Sequence, residues 1–216
     1  MINIIGSNNS IFNQIVSEIR DEVIQKDSMR FRRNLERVGE IFAYEISKTL
    51  EYHEKNVQTP LGVAKVNVLK EQPVLTTILR AGIPLHQGLL NYFDKAGSAF
   101  ISAYRKYNSD GTFNIHADYM SCPSIQNKVV FLSDPMLATG SSLVLAYKAL
   151  LKNGTPKHIH IISVIASKQG IENIKKHLPM ENTSLWLGAV DDDLTVKSYI
   201  VPGLGDAGDL AYGSKL

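Results

Sequence analysis

Val129-Val130-Phe131-Leu132-Ser133-Asp134-Pro135-Met136-Leu137-Ala138-Thr139-Gly140-Ser141-Ser142-Leu143-Val144-Leu145-Ala146 is the stretch on which the fold turns. An apolar run ends in an acid, a turn of small residues follows, and a second apolar segment opens. That order reads as strand, tight turn and helix N-terminus. A helix N-terminus presents unpaired N–H groups and the positive end of the macrodipole, so it is a ready anion site. Thr139, Ser141 and Ser142 add hydroxyl donors, and Gly140 lets the backbone come close. The expected ligand is a phosphate monoester, with Asp134 placed to meet a sugar or a metal beside it. The run contains no G-x-x-x-x-G-K-[ST], so it is not a nucleoside-triphosphate loop.

Working outward, strands and helices alternate. Residues 28–50 carry Leu35, Val38, Ile41 or Phe42, Ile46 and Leu50 at helical spacing, with Ser28 as a candidate cap. Residues 57–70 alternate Ala64, Val66 and Val68 with Lys65 and Asn67, the pattern of a β-arm. Strands are expected at 74–79, 99–104, 128–133, 158–166 and 185–190, and helices at 83–93, 142–152 and 170–177. Residues 106–122 are polar, hold the turn signal Asn108-Ser109-Asp110-Gly111, and read as a flexible loop able to close over a ligand. The fold class that follows is α/β: a mostly parallel twisted sheet flanked by helices on both faces. Ligands of such sheets bind at the carboxyl ends of the strands. Arg80, Arg105 and Asp134 fall at three such ends, which points to one shared site.

A second segment completes the picture. Tyr199-Ile200-Val201-Pro202-Gly203-Leu204-Gly205-Asp206-Ala207-Gly208-Asp209 contains a formal G-x-G-x-x-G. Too little chain follows Gly208 for the crossover helix and second strand of a dinucleotide site. A glycine-rich loop that faces a flat ligand with its backbone N–H and C=O groups is the better reading.

These residues resemble the phosphoribosyltransferases, and in the form Asp-Pro-Met-Leu-Ala-Thr-Gly the uracil phosphoribosyltransferase family in particular. The 199–209 segment is similar to that family's uracil-binding signature. Weaker likeness runs through Arg30-Phe31-Arg32, Tyr44-Glu45, Ile78-Leu79-Arg80-Ala81-Gly82 and Tyr104-Arg105, so it spans the chain from about residue 28 onward. The resemblance implies one phosphoribosyltransferase-like domain over 1–216, with the 57–70 arm, the 106–122 loop and a uracil-binding hood over 184–216. It implies transfer of phosphoribose from phosphoribosyl pyrophosphate (PRPP) to N1 of uracil, giving UMP and pyrophosphate.

Carried over residue by residue, PRPP would be held by Arg80, Arg105, Asp134, Pro135, Met136, Leu137, Ala138, Thr139, Gly140, Ser141, Ser142 and Asp206. Uracil would meet Ile200, Gly205, Asp206 and Ala207. Asp134, Arg105 and Asp206 would carry the catalytic roles. Mg²⁺ would enter on PRPP and through water, with no direct protein ligand assigned. The chain departs from common patterns at Ser133, where many relatives have a second acid, at Ser141 in place of a second glycine, and at Leu210, where a basic residue is frequent. Two alternatives stand beside this reading: a nucleotide-sensing regulator on the same fold, and a phosphoribosyltransferase for another base.

Bulk properties exclude several classes. The chain has 216 residues, 44% hydrophobic and 20% charged, in the range of one globular domain. A net charge of +2 with no basic stripe argues against a nucleic-acid surface. The charge runs Arg30 to Arg33 and Asp191-Asp192-Asp193 read as solvated faces. Cys122 stands alone, so no internal disulfide can form, which suits a reducing, cytoplasmic setting. No run of about 20 apolar residues would span a membrane, and the first residues lack the pattern of a signal peptide. His158 and His160 share a strand face and read as structural, as does Trp186. The 28–50 helix and the arm look like interface elements, and the resemblance implies a homodimer or higher homo-oligomer.

Overall fold

The computed structural model describes residues 1–107 and 113–214, with the side chains of 103–118 outside the description. In chain order the elements are β1 (Ile2–Ile4), α1 (Ile11–Arg20), α2 (Ser28–Ser47), β2 (Tyr52–Thr59), β3 (Gly62–Leu69), β4 (Val74–Leu79), α3 (Ile83–Leu90), β5 (Gly97–Tyr107) and β6 (Phe113–Ser121). Then come β7 (Val129–Ser133), β8 (Met136–Leu137), α4 (Ser141–Leu150), β9 (His158–Ser167), α5 (Lys168–His177), β10 (Thr183–Asp191), β11 (Asp193–Leu194), β12 (Ile200–Val201) and α6 (Ala207–Tyr212).

The main sheet runs β1-β10-β9-β7-β4-β5-β6, with β8 beside β9. Every pair in it is parallel except β5 with β6. Alternation along the strands divides the core into two layers. Leu75, Phe131, Ile162 and Trp186 face α1, α2 and α3. Val74, Val130, Leu132, Ile161 and Leu187 face α4 and α5. A strand buried on both faces needs apolar side chains at successive positions, and β7 and β9 have them.

The chain passes from β4 to β5 on one side and then returns to β7 on the other. The crevice above β4 and β7 is therefore the topological switch point, where doubly wound sheets bind ligands. Across it, Thr77 Oγ1 donates to the Ser133 carbonyl at 3.3 Å and Ser133 Oγ donates to the Thr76 carbonyl at 3.1 Å. Ser133 is thus a buried cross-strand link at the position where an acid is common.

Several sequence expectations shift. Asp27, not Ser28, caps α2, its carboxylate accepting from Arg30 N–H at 3.0 Å. The arm starts earlier, because β2 pairs with β3 from Tyr52 through Thr59. Residues 113–121 of the expected 106–122 loop form a strand instead, paired antiparallel with β5. Phe113, Ile115, Ala117 and Tyr119 recur at every second position, a strand period that the polar composition hides. The turn signal at 108–111 lies outside the described residues. Of the 184–216 segment expected as a hood, residues 184–191 belong to the buried strand β10, and the chain leaves the main sheet after Asp191. β1 and α1 were not anticipated; Ser10 caps α1, and Phe12, Ile15, Val16 and Ile19 bury its apolar face.

Among the described residues, no helix is long and apolar enough to cross a membrane. His160 accepts from Trp186 Nε1 at 2.9 Å inside the core, so the pair is structural, as expected. A cavity of about 440 Å³ opens at the amino ends of the strands, among Met1, Leu50, Gln72, Val129, His158 and Trp186; no residue of the switch-point crevice lines it.

Candidate active site

Asp134 follows β7 directly and sits half-buried at the crevice. Burial pushes its carboxyl up to about 7, although the Met136 N–H it accepts at 3.2 Å pulls the other way. Among the described residues no counter-charge offsets the burial. A carboxyl so placed gains from any ligand that donates hydrogen bonds or brings positive charge.

The loop beyond it is braced from behind. The Pro135 carbonyl accepts from Val164 and Ile165 N–H, each at 3.0 Å, and Met136–Leu137 pair with Ile165 and Ala166. Ser167 Oγ donates to the Ala138 carbonyl at 2.6 Å, and Asn173 Nδ2 donates to the Thr139 carbonyl at 2.8 Å. A Cβ on Gly170 would collide with the carbonyls of Leu137 and Ala138. The loop's carbonyls are thus turned toward α5. Gly140 takes φ +78°, a conformation glycine adopts without penalty, and ends the turn as the N-cap of α4. Thr139 Oγ1 meets Ser141 Oγ at 3.1 Å and accepts from Ser141 N–H at 3.4 Å. Among the described residues no side chain caps α4. Its first N–H groups and three hydroxyls therefore stand together, as phosphate binding requires.

Arg80 follows β4 across a cis Leu79–Arg80 peptide. Its Nη2 donates to Asp209 Oδ1 at 3.2 Å and to the Gly213 carbonyl at 3.1 Å, while its Nε is buried without a partner among the described residues. Arg80 thus links the end of β4 to the C-terminal segment. Arg105 lies in β5, in register with Ile115 of β6; its side chain is outside the described residues.

The C-terminal segment leaves β10, makes the small β11–β12 hairpin, and turns through Pro202-Gly203-Leu204-Gly205 into α6. Asp206 caps α6, its carboxylate accepting from Gly208 N–H at 2.8 Å and Asp209 N–H at 3.0 Å. Ile200 and Ala207 are buried, so they can offer a ligand little but their backbone. Gly205 is exposed at φ +93°, and a Cβ there would meet open space. Arg32 Nη1 donates to the Ala211 carbonyl at 2.6 Å and its guanidinium lies over the Tyr212 ring, so α6 is also tied to α2.

One acid of the 191–193 run is misread as solvated. Asp191 is buried and forms a two-pronged ion pair with Arg20, both contacts at 2.8 Å. Burial pushes its carboxyl up, but the Arg20 guanidinium and the Gly203 N–H outweigh that and hold it below the usual carboxylate range. Arg20, Asp191, Ser167, Gly170 and Asn173 all support the site, and sequence reasoning assigned none of them to it. Ser167 sits at a strand-to-helix junction, so its capping role was the one detectable signal.

The family profile described as uracil phosphoribosyltransferase matches residues 6–214. A uracil phosphoribosyltransferase of Porphyromonas gingivalis is 56% identical over 98% of this chain and 98% of its own. One from Thermococcus gammatolerans is 38% identical over 94% of this chain and 89% of its own. Among solved structures, the AQ2163 protein from Aquifex aeolicus superimposes over 100% of both chains with TM-score 0.87 at 30% identity. A hypoxanthine phosphoribosyltransferase from Staphylococcus aureus, at 13% identity and TM-score 0.50 over 76% of each chain, shares the fold alone.

Proposed function

The chain belongs to the uracil phosphoribosyltransferase family, and from that premise we propose how its residues carry the transfer of phosphoribose from PRPP to N1 of uracil. The products are UMP and pyrophosphate. The observation that supports this assignment best is the reach of Arg80 from the end of β4 to α6 at 3.2 Å. It brings the crevice of the phosphate loop and the glycine-rich loop to one place.

The 5′-phosphate sits on the N-terminus of α4, held by backbone N–H groups from Thr139 to Ser142 and by the three hydroxyls. Pro135, Met136, Leu137 and Ala138 fix the loop's path. Asp134 accepts hydrogen bonds from the ribose hydroxyls. Its carboxyl is raised to about 7 by burial, and hydrogen bonds from the sugar favour its ionised form. The carboxylate then faces the positive charge that develops on the ribose as the C1′–O bond stretches. Arg80 and Arg105 meet the departing pyrophosphate with forked N–H donors. Held in this way, two substrates react as one positioned pair.

Uracil lies over Gly205, where a Cβ would meet only open space, and is read by the backbone around Ile200, Asp206 and Ala207. A fixed N–H suits the exocyclic oxygen of uracil and leaves the amine of cytosine crowded and unpaired. Sites built this way discriminate by factors on the order of 10⁴.

Among the described residues no group of three or more His, Cys, Asp or Glu side chains could hold a metal ion alone. Asp134 and Asp206 are hard oxygen groups of the kind that share Mg²⁺ with substrate phosphates. Mg²⁺ on PRPP would neutralise leaving-group charge. The enzyme works in the cytoplasm as a homodimer or higher homo-oligomer, a reading that rests on the lone Cys122 and on the exposed apolar side chains Leu61 and Val63 of the β2–β3 arm.

Two variants test the assignment by steady-state UMP formation. Asp134→Asn lowers kcat/KM for PRPP by about a hundredfold or more, and Gly205→Ala raises the KM for uracil. Unchanged kinetics in both would refute it.

A further inference from the structure

We infer that the Arg20–Asp191 ion pair is a positioning device for uracil recognition, fixing the base loop through both backbone polar groups of Gly203. The inference rests on the base-loop reading of residues 200–207.

The two side chains form a closed set of bonds. Arg20, the last residue of α1, and Asp191, the last of β10, pair through Nη1 and Nη2 of the guanidinium, each contact at 2.8 Å. Each makes one further bond, and both bonds go to one residue. Arg20 Nη1 also donates to the Gly203 carbonyl at 3.0 Å, and Asp191 Oδ2 accepts from Gly203 N–H at 2.8 Å. Gly203 holds φ +55°, and a Cβ there would collide with the Ile200 carbonyl, so the turn is sharp and needs glycine. With its amide nitrogen facing inward, Gln25 donates to the next carbonyl, Leu204, at 2.8 Å and to Ile19 at 3.2 Å. Three backbone groups between Ile200 and Gly205 are therefore held by Arg20, Asp191 and Gln25.

A buried ion pair adds little to stability by itself, because desolvation offsets the attraction. What this pair supplies is geometry. It sets the chain direction between the two residues whose backbones flank the base. Neither side chain is assigned a contact with substrate, so both act through the loop. A base read by backbone groups cannot be gripped by a rotating side chain, and displacement of the loop by about 1 Å is enough to lose much of the recognition.

The test is kinetic, with Arg20→Gln, Arg20→Lys and Asp191→Asn compared with the parent enzyme. Arg20→Gln is expected to raise the KM for uracil by about ten- to a hundredfold and to narrow the preference for uracil over cytosine. KM for PRPP and calorimetric PRPP binding stay at parent values. Arg20→Lys keeps the charge but loses the fork and falls between the two. An equal rise in both KM values, or lowered thermal stability with neither KM changed, overturns the inference. If Arg20→Gln does not fold, Arg20→Lys and Asp191→Asn are read on the same two constants. Gly205→Ala serves as reference. If it leaves the KM for uracil unchanged, the base-loop reading itself fails. If it raises that KM and the Arg20 and Asp191 variants do not, the positioning inference alone fails.

Discussion

Asp134 sets the pH response of the site. Burial holds its carboxyl near 7, and in the role proposed for it the form that accepts from ribose hydroxyls is the carboxylate. Below that pH the free enzyme must lose a proton to bind productively. PRPP affinity, followed by calorimetry between pH 6 and 8, should therefore strengthen as pH rises, approaching about tenfold per unit on the acid limb. Asp134→Asn should remove that limb. A pH-independent affinity in the parent would place the charge elsewhere. Arg80 has two duties: it faces the crevice and holds Asp209 and Gly213. Arg80→Gln should accordingly weaken both substrates, unlike Asp134→Asn, which should act on PRPP.

At the scale of elements, the phosphate loop owes its shape to α5. Gly170 lies against the Leu137 and Ala138 carbonyls with no room for a Cβ. Gly170→Ala should displace the loop, raise the KM for PRPP and lower stability by about 1–3 kcal/mol. Thermal unfolding and the two KM values separate these effects, and an unchanged KM for PRPP would show that the loop does not depend on α5. The helices and parallel strands were legible in the sequence because apolar spacing reports burial, as in Leu35, Val38, Phe42 and Ile46 of α2. The strand–turn–helix unit from β7 to α4 was legible because strand, small residues and helix stand in local order. The braces were not. Arg20 and Asp191 are 171 residues apart, and nothing local in an acidic run marks which acid is buried. β6 was missed because a two-residue period in a polar edge strand is a weak signal against a strong turn signature.

Over the whole molecule, two buried histidines make the fold acid-sensitive. Burial holds His160 at about 3 and His86 at about 4, below the value near 6.5 of an unfolded chain. The unfolded state then binds protons that the native state refuses. The histidine contribution is full above about pH 6.5 and falls as pH drops toward 4, by up to about 1.4 kcal/mol per unit for each histidine, and the raised carboxyl of Asp134 opposes part of that loss without cancelling both. Denaturant unfolding at pH 7, 6 and 5 should show this loss, and His160→Gln, which can still accept from Trp186, should reduce it. Equal stability across that range would contradict the neutral assignment. The same architecture brings the end of β4, the loop after β7 and the C-terminal segment to one crevice, and the reaction depends on that convergence. The most direct test is product formation from PRPP and Mg²⁺ with uracil, cytosine and hypoxanthine in parallel, using Asp134→Asn as control. UMP from uracil alone, lost in the Asp134 variant, is the predicted result. Turnover of hypoxanthine or cytosine at comparable rates, or undiminished UMP formation by Asp134→Asn, would contradict the account.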